Sequence, residues 1–309
     1  MDQRKLQSPS FFSDFLFGGV AAAFSKTMIA PLERVKILLQ TQDANRRIRE
    51  GKIQKYSGTT DCMLRVVREE GFLKLWRGNF ANIVRYFPTQ ALNFALKDTF
   101  RKWLCPYNAK KDPWKFFMGS LTSGGVAGGV SLVFVYPLDF ARTRLGADMS
   151  DGKYGRQFNG MSDCLRKVYK VDGLVGLYKG FVISVIGIFF YRAFYFGGFD
   201  TAKKLVVNDY EKKRFAVKFF IAQCVTSFAG FVSYPLDTVK RRLMMQAGGK
   251  EILYKGSMDC MVKIKNKEGK MAFFKGAYSN FIRGIGASLV LVMYDEIHAY
   301  LGFNTSSNE

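Results

Sequence analysis

Six charged side chains recur in a pattern that could form reversible ion pairs. In three places a proline is followed by an acid two residues later and by a base five residues later. The three sets are Pro31, Glu33 and Lys36; Pro137, Asp139 and Arg142; and Pro235, Asp237 and Lys240. Proline bends a helix, so three bent helices can converge on one axis, where the acid of one helix pairs with the base of the next. Such a ring could be a gate, or it could be a static set of buried ion pairs. The gate is the stronger explanation, because apolar residues in place of static pairs would often be no less stable.

The positions of these sets indicate that the chain is a triplication. Pro31 and Pro137 lie 106 residues apart, and Pro137 and Pro235 lie 98 residues apart. Three other patterns keep the same register: an Asp-Cys pair, an acid-glycine pair and an aromatic-base-glycine triplet. They stand at Asp61-Cys62, Glu70-Gly71 and Trp76-Arg77-Gly78; at Asp163-Cys164, Asp172-Gly173 and Tyr178-Lys179-Gly180; and at Asp259-Cys260, Glu268-Gly269 and Phe274-Lys275-Gly276. We therefore predict three repeats, at 1–108, 109–211 and 212–309, within one integral body.

The composition favours a membrane protein that binds anions. Of the 309 residues 48% are hydrophobic, and the formal net charge is +22. A basic excess of this size attracts nucleic acid, acidic lipid or a polyanionic small molecule. The uncharged stretch 116–138 is long enough to cross a bilayer and 219–236 nearly so, which argues against nucleic acid. Single charges such as Lys26, Arg85 and Arg192 interrupt other apolar stretches, and such charges normally face a water-filled interior.

We predict an all-α membrane protein with six transmembrane helices, arranged as three homologous two-helix repeats with pseudo-threefold symmetry. The predicted helices are Phe11–Leu39, Asn79–Trp103, Trp114–Leu145, Phe181–Val206, Phe215–Met245 and Ala277–Leu301. Each long connection carries a short amphipathic segment that begins at the repeated cysteine, and we expect a surface helix there. Because the number of spans is even, both termini lie on one face and the long connections on the other.

A second ring of charges is predicted at the opposite end of the helices. The even-numbered helices each carry an acid and, three residues later, a base or a histidine. The pairs are Asp98 and Arg101, Asp200 and Lys203, and Asp295 and His298. Two rings at opposite ends suggest alternating access, in which one ring closes while the other opens. An imidazole with a pKa of about 6.5 is mostly uncharged near neutral pH, so we expect His298 to weaken the third pair.

A candidate binding site lies between the two rings. Counting seven residues past the glycine of each aromatic-base-glycine triplet gives Arg85, Gly187 and Arg283. The two cations suit phosphate or carboxylate, the glycine leaves space for a flat ring, and Lys26 adds a cation that only the first repeat has. We expect no acid near these three cations, which would then be costly inside a membrane unless an anionic ligand visits them.

Two tyrosines could complete this site. Tyr191 and Tyr195 are spaced by four residues on the fourth helix, beside Gly187 and Ile188. At that spacing both rings lie on one helix face, where they could flank a purine or belong to the packed core.

Residue patterns that carry out covalent chemistry are lacking. The chain has no GxxxxGK[ST] phosphate loop, a single histidine, and five cysteines without the spacing of a metal site. We therefore expect no enzyme activity, metal or cofactor, and we interpret the cysteines as reduced structural thiols. The first ten residues lack the apolar core of a signal peptide, so targeting is expected to be internal.

Four longer segments resemble the mitochondrial carrier family and, within it, the ADP/ATP carriers. They are SKTMIAPLERVKILLQ at 25–40, WRGNFANIVRYFPTQALNFA at 76–95, VYPLDFARTRL at 135–145 and RRLMMQ at 241–246. The resemblance covers essentially the whole chain. It implies exchange of cytosolic ADP for matrix ATP, without hydrolysis, across the mitochondrial inner membrane, with both termini on the intermembrane-space side. It also implies cardiolipin as a structural lipid at the glycine-bearing helix starts, where free backbone amides favour phosphate.

The resemblance also implies roles for individual residues. The first ring becomes a matrix gate, braced by Gln40, and the second ring becomes a cytoplasmic gate. Contacts to phosphate are implied for Lys26, Arg85 and Arg283 with Asn93 as a polar neighbour, and contacts to adenine for Gly187, Ile188, Tyr191 and Ser233. The family's signature of three arginines and three methionines is here Lys240 followed by Arg241, Arg242, Leu243, Met244 and Met245. Two further departures are Phe199 for a tyrosine and His298 for a lysine.

Two alternatives to ADP/ATP exchange stay open. The chain could be a related mitochondrial carrier for another anionic substrate, a nucleotide or phosphate, or it could be a proton-leak protein.

Overall fold

The computed structural model describes residues 9–107, 112–150, 155–205, 215–249 and 251–286, and these residues form helices and connecting turns. Long helices make up most of them. They are α1 (Pro9–Thr41), α2 (Asn79–Leu104), α3 (Pro113–Gly146), α4 (Phe181–Leu205), α5 (Phe215–Met245) and α6, which is helical over 277–286. The first five begin and end within two residues of the predicted bounds. The rest of the predicted sixth helix, 287–301, lies outside the described residues.

Among the residues that the structure describes, three helices are long and apolar enough to cross a membrane. These spans are Trp114–Gly146, Phe181–Gly198 and Phe219–Met245. Helices α1 and α2 are not among these spans, and they carry cations such as Lys26 and Arg85 within their length. The odd-numbered helices α1, α3 and α5 each contain the proline of the repeated set.

Shorter helices lie in the long connections, as the sequence predicts. The main loop helices are Thr59–Glu69, Met161–Leu177 and Ser257–Glu268, and shorter helical turns are Gln42–Ala44, Arg46–Arg49, Phe72–Trp76 and Lys270–Phe274. Each Asp-Cys pair lies in the first turn of a loop helix. The Asp61 carboxylate accepts a hydrogen bond from the Ser57 backbone N–H at 2.9 Å, which fixes the start of the helix. Asp163 and Asp259 accept equivalent bonds at 2.9 Å.

The cysteines of these pairs are structural. Cys62, Cys164 and Cys260 are fully buried and free. Burial raises the pKa of each thiol to about 12, so all three are neutral and unreactive at physiological pH.

Each of these cysteines lies in an apolar cluster that also receives a residue from another repeat. Met149 packs in the cluster around Cys62, Met244 in the cluster around Cys164, and Ala44 in the cluster around Cys260. The clusters therefore join the first repeat to the second, the second to the third, and the third back to the first. Because every repeat completes its core with a neighbour's side chain, the three repeats form one body.

The glycine of each aromatic-base-glycine triplet allows a close approach between repeats. Gly78, Gly180 and Gly276 have φ angles of 87°, 86° and 81°, in the left-handed region that favours glycine. A Cβ on Gly180 would lie 3.0 Å from the backbone oxygen of Lys240. This glycine therefore brings the start of an even-numbered helix against the repeated base of the next repeat.

Candidate functional site

Three ion pairs close a ring where the odd-numbered helices approach the loop helices. The Lys36 ammonium lies 3.0 Å from the Asp237 carboxylate, and the Lys240 ammonium lies 2.6 Å from the Asp139 carboxylate. Arg142 and Glu33 form the third pair. Each pair joins the base of one repeat to the acid of another, which is the arrangement expected from the sequence.

Gln40 supports one of these pairs. Its side-chain amide donates to the Asp237 carboxylate at 3.3 Å and to the Thr238 hydroxyl at 3.1 Å. The equivalent positions of the other repeats are Gly146 and Met244, which carry no amide. Only the pair between Lys36 and Asp237 therefore has this glutamine beside it.

Every acid of the ring also contacts a second cation, which corrects one expectation. Arg85 lies 3.7 Å from Asp139, and Arg283 lies 3.6 Å from Glu33. The expectation that these arginines have no acid nearby is wrong. Helical side chains slant toward the N-terminus of their helix, and the N-termini of α2 and α6 are the ends next to the ring.

The ring therefore carries an excess of positive charge. Arg241 lies 3.1 Å from Asp237 and is the second cation of the third acid. Six bases thus surround three acids, an excess of three positive charges. Such a surface attracts a polyanion.

A cavity of about 620 Å³ lies against this ring. Lys36, Asp237, Lys240 and Arg241 form its floor. Its walls include seven predicted site residues: Arg85, Asn93, Gly187, Ile188, Tyr191, Ser233 and Arg283. Lys26 is not part of the lining, and its ammonium lies 5.0 Å from the centre of the Tyr86 ring.

At the positions of Arg85 and Arg283 two walls of the cavity are charged, and at the equivalent Gly187 the third wall is neutral. Arg283 donates to the Asn280 side-chain oxygen at 3.3 Å, and Arg85 donates to the equivalent Asn82 at 3.5 Å. The second repeat has Ser184 and Gly187 at these positions. The sequence analysis did not identify the two asparagines, although they stand four residues after Gly78 and Gly276. A Cβ on Gly187 would meet only Leu236, at 3.8 Å, so the neutral wall has free space.

Comparison with known protein families shows to which family this architecture belongs. The model of the family described as "Mitochondrial carrier protein" matches residues 7–108, 113–210 and 211–305. The chain belongs to the mitochondrial carrier family. This membership agrees with the predicted fold of three repeats and six helices. The members of this family are transporters.

Relatives of this carrier are similar over nearly their whole length. ADP/ATP translocase 4 of Bos taurus is 54% identical over 96% of this chain and 91% of the translocase. The ADP,ATP carrier protein of Parachlorella kessleri is 53% identical over 97% of this chain and 88% of its own. The mitochondrial substrate carrier family protein ancA of Dictyostelium discoideum is 56% identical over 98% of this chain and 97% of its own.

On the neutral side of the carrier's cavity, two tyrosines form a flat surface. The rings of Tyr191 and Tyr195 are stacked at 6.0 Å between centres with an angle of 18° between their planes. Both line the cavity, and Tyr191 is 36% exposed, so its ring is available to a ligand. These tyrosines are therefore part of the cavity wall and not of the packed core.

Arg192, on the same helix as Gly187 and Tyr191, adds a cation to the cavity where this wall meets α3. Its guanidinium packs against Gly124 and Gly128 of α3, and no carboxylate in the described part of the chain pairs with it. The sequence indicated that this charge faces the interior, but its position is not repeated and so did not mark it as a site residue.

The signature segment 241–245 lies partly at the ring of ion pairs and partly in the apolar core. Arg241 lines the cavity, while the fully buried Arg242 pairs with Glu268 and lies 3.2 Å from Asp43. Leu243, Met244 and Met245 pack in apolar clusters. Both arginines of the segment therefore have specific carboxylate partners.

The second ring of the carrier stays a prediction. Asp98 and Arg101 are both exposed near the end of α2, and no ion pair joins Asp98 to another described residue. The side chains of Asp200 and Lys203 lie outside the described residues, as do Asp295 and His298.

Proposed function

We propose that this carrier exchanges cytosolic ADP for matrix ATP across the mitochondrial inner membrane. The observation that carries the proposal is the two-sided cavity, which has Arg85 and Arg283 on its charged walls and Tyr191 beside Gly187 on its neutral wall. A nucleoside polyphosphate has the same division between a charged end and a flat apolar end. Relatives named ADP/ATP translocase or ADP,ATP carrier protein, 53% to 54% identical to the chain, support this substrate.

In this proposal the phosphates bind at the charged walls. Arginine presents its N–H groups in a fork that suits phosphate oxygens, so Arg85 and Arg283 are the main phosphate contacts. Asn93 contributes a polar contact, and Lys26 adds attraction from α1. The adenine lies on Tyr191 in the space at Gly187, with Ile188 and Ser233 around it.

The ring of ion pairs acts as the matrix gate. Because buried ion pairs are often no more stable than apolar residues in their place, their retention here fits a seal that must break and re-form. Phosphates that bind Arg85 and Arg283 draw these cations away from Asp139 and Glu33. Substrate binding thereby changes the electrostatic balance of the ring, and a ligand with different affinities for the two states shifts their populations.

The closed ring defines the state of the carrier. With the matrix gate closed, the cavity is accessible from the intermembrane space, where both termini lie in this proposal. The second ring, with Asp98 and Arg101 and the partners named above, closes the cavity in the opposite state. The exchange needs no hydrolysis and no cofactor, and cardiolipin binds as a structural lipid at the starts of the even-numbered helices.

The test is counter-exchange in liposomes that contain the purified protein. Labelled ADP is added outside, with ADP, ATP, AMP, phosphate or no substrate inside. We expect uptake only with internal ADP or ATP. Uptake driven by phosphate or AMP would favour a related carrier, and proton flux without nucleotide uptake would favour a proton-leak protein.

A further inference from the structure

Two of the three lysine or arginine side chains in the matrix gate rest on aromatic rings. The Lys36 ammonium lies 5.1 Å from the centre of the Tyr234 ring, and the Lys240 ammonium lies 5.7 Å from the centre of the Tyr136 ring. Both distances are within the range of cation–π attraction, which is strongest where water is excluded. Tyr136 and Tyr234 are almost fully buried, and the side chains of Lys36 and Lys240 are only 11% and 16% exposed, so both contacts are largely shielded from water.

Each of these rings is held in place by its own repeat. Tyr234 stands directly before Pro235, and its hydroxyl donates to the Lys275 backbone oxygen at 2.9 Å. Its ring lies parallel to the Phe274 ring, with 6.3 Å between centres and 9° between planes. Tyr136 is fixed in the same way, by a 2.8 Å bond to a backbone oxygen and by a stacked tyrosine.

The lysine on each ring comes from a different repeat. Lys36 belongs to the first repeat and Tyr234 to the third, while Lys240 belongs to the third and Tyr136 to the second. Each contact therefore crosses a junction that must separate when the ring opens. A contact of this kind stabilises the closed ring selectively.

The remaining junction is built differently. The position before Pro31 holds Ala30, which has no ring to offer Arg142. There the Glu33 carboxylate contacts Arg142 and also accepts a hydrogen bond from Asn82 at 3.0 Å. The aromatic contact is therefore a feature of two junctions, and polar contacts replace it at the third.

We propose that Tyr136 and Tyr234 are positioning residues of the matrix gate, whose ring faces hold Lys240 and Lys36 beside their acids while the gate is closed. The inference rests on the proposed gate. The acid and the ring contact each lysine together, and neither alone fixes the direction of its flexible side chain. Loss of the ring attraction releases the lysine and favours the open ring.

Graded fluorination of the ring tests this proposal. Tyr234→Phe removes the hydrogen bond of the hydroxyl to the Lys275 backbone oxygen but keeps the ring face. Fluorine atoms added one at a time to that phenylalanine then weaken the negative electrostatic potential of the ring face, with little change in the size of the ring. The same series at Phe274 is the control, because that ring stacks on Tyr234 and has no described cation over its face.

Spin labels report the state of the gate directly. They are attached at Arg68→Cys and Asn266→Cys, exposed positions on the loop helices of the first and third repeats. Cys224→Ser removes the exposed native thiol, and the other four cysteines are buried. Distance distributions between the labels are recorded without ADP and at rising ADP concentrations, and ADP exchange is measured in parallel.

We expect the ratio of closed to open gate to fall with each added fluorine at position 234, to about one-fifth at three fluorines. The control series at Phe274 should leave the ratio unchanged. A closed-to-open ratio that stays constant along the fluorine series at position 234, or a single label distance under all conditions, would overturn the proposed role of Tyr234. If the ratio falls with each fluorine but the protein does not exchange ADP, the role of Tyr234 stands and the proposed function is rejected.

Discussion

The cavity wall of the second repeat differs from the walls of the first and third at two positions of the same helix face. Asn82 and Arg85 correspond to Asn280 and Arg283, whereas the second repeat has Ser184 and Gly187. The scaffold around these positions is the same, since each helix starts at a glycine with a φ angle between 81° and 87°. A threefold scaffold can thus build a two-sided site through a few side chains, which suits an asymmetric ligand in a symmetric cavity.

Removing a charge from the charged walls should have the largest effect. We expect Arg85→Ala and Arg283→Ala each to lower ADP exchange by about a hundredfold or more, because each removes a charged hydrogen-bond donor for phosphate. The measurement is initial uptake by purified variants in liposomes, with helix content from circular dichroism as the check on folding. Arg68→Ala, at an exposed cation on a loop helix, is the control. Near-normal uptake by either variant would remove that arginine from the site.

Filling the neutral wall should be the next largest change. Gly187→Leu places a bulky side chain where we place the adenine, and we expect the apparent KM for ADP to rise about tenfold or more. Gly187→Ala is the matched control, because its Cβ would meet only Leu236 at an ordinary 3.8 Å. Equal KM values for the leucine and alanine variants would mean that this space is not used by the nucleotide.

Removing the aromatic surface should affect the base and not the phosphates. We expect Tyr191→Ala to weaken ADP binding about fivefold to tenfold and to leave competition by inorganic tripolyphosphate unchanged, since the ring contacts only the base. Tyr191→Phe keeps the ring and should behave like the wild type. If both ligands weaken equally, Tyr191 is a packing residue.

The asparagines should give the smallest effect. Asn280 orients Arg283 through bonds of 3.3 Å, so we expect Asn280→Ala to raise the KM for ADP about threefold. The equivalent change on the neutral wall, Ser184→Ala, should leave the KM unchanged, because the Ser184 hydroxyl donates to the backbone oxygen of Gly180, directly before its own helix, at 2.7 Å. A larger effect of Ser184→Ala would reverse the assignment of charged and neutral walls.

The sequence predicts the fold well because its signals are local and repeated. Helix bounds follow from apolar runs and from the proline and glycine residues near helix ends, and three copies of each motif align the repeats with one another. The pairing of the ring also follows from the repeat, since equivalent acids and bases must meet around a threefold axis.

Contacts that depend on side-chain reach could not be predicted in this way. Arg85 and Arg283 contact ring acids because their side chains slant toward the helix start, which a count of residues along the helix does not show. The contact of Lys36 with Tyr234 joins the first and third repeats, and neither residue alone indicates it. The sequence indicates that Arg192 faces the interior, but its contact with Gly124 and Gly128 in the cavity wall follows only from the structure.

Photo-cross-linking tests the central claim that the purine lies on the wall of the second repeat. ADP with an azido group on its purine ring is bound to the wild-type protein, activated by light, and the attached peptides are identified by mass spectrometry. The account predicts attachment within residues 181–196, abolished by excess ADP. Attachment within 79–90 or 277–286, with the same competition by ADP, would contradict it, because the base would then lie on a wall that we assign to the phosphates.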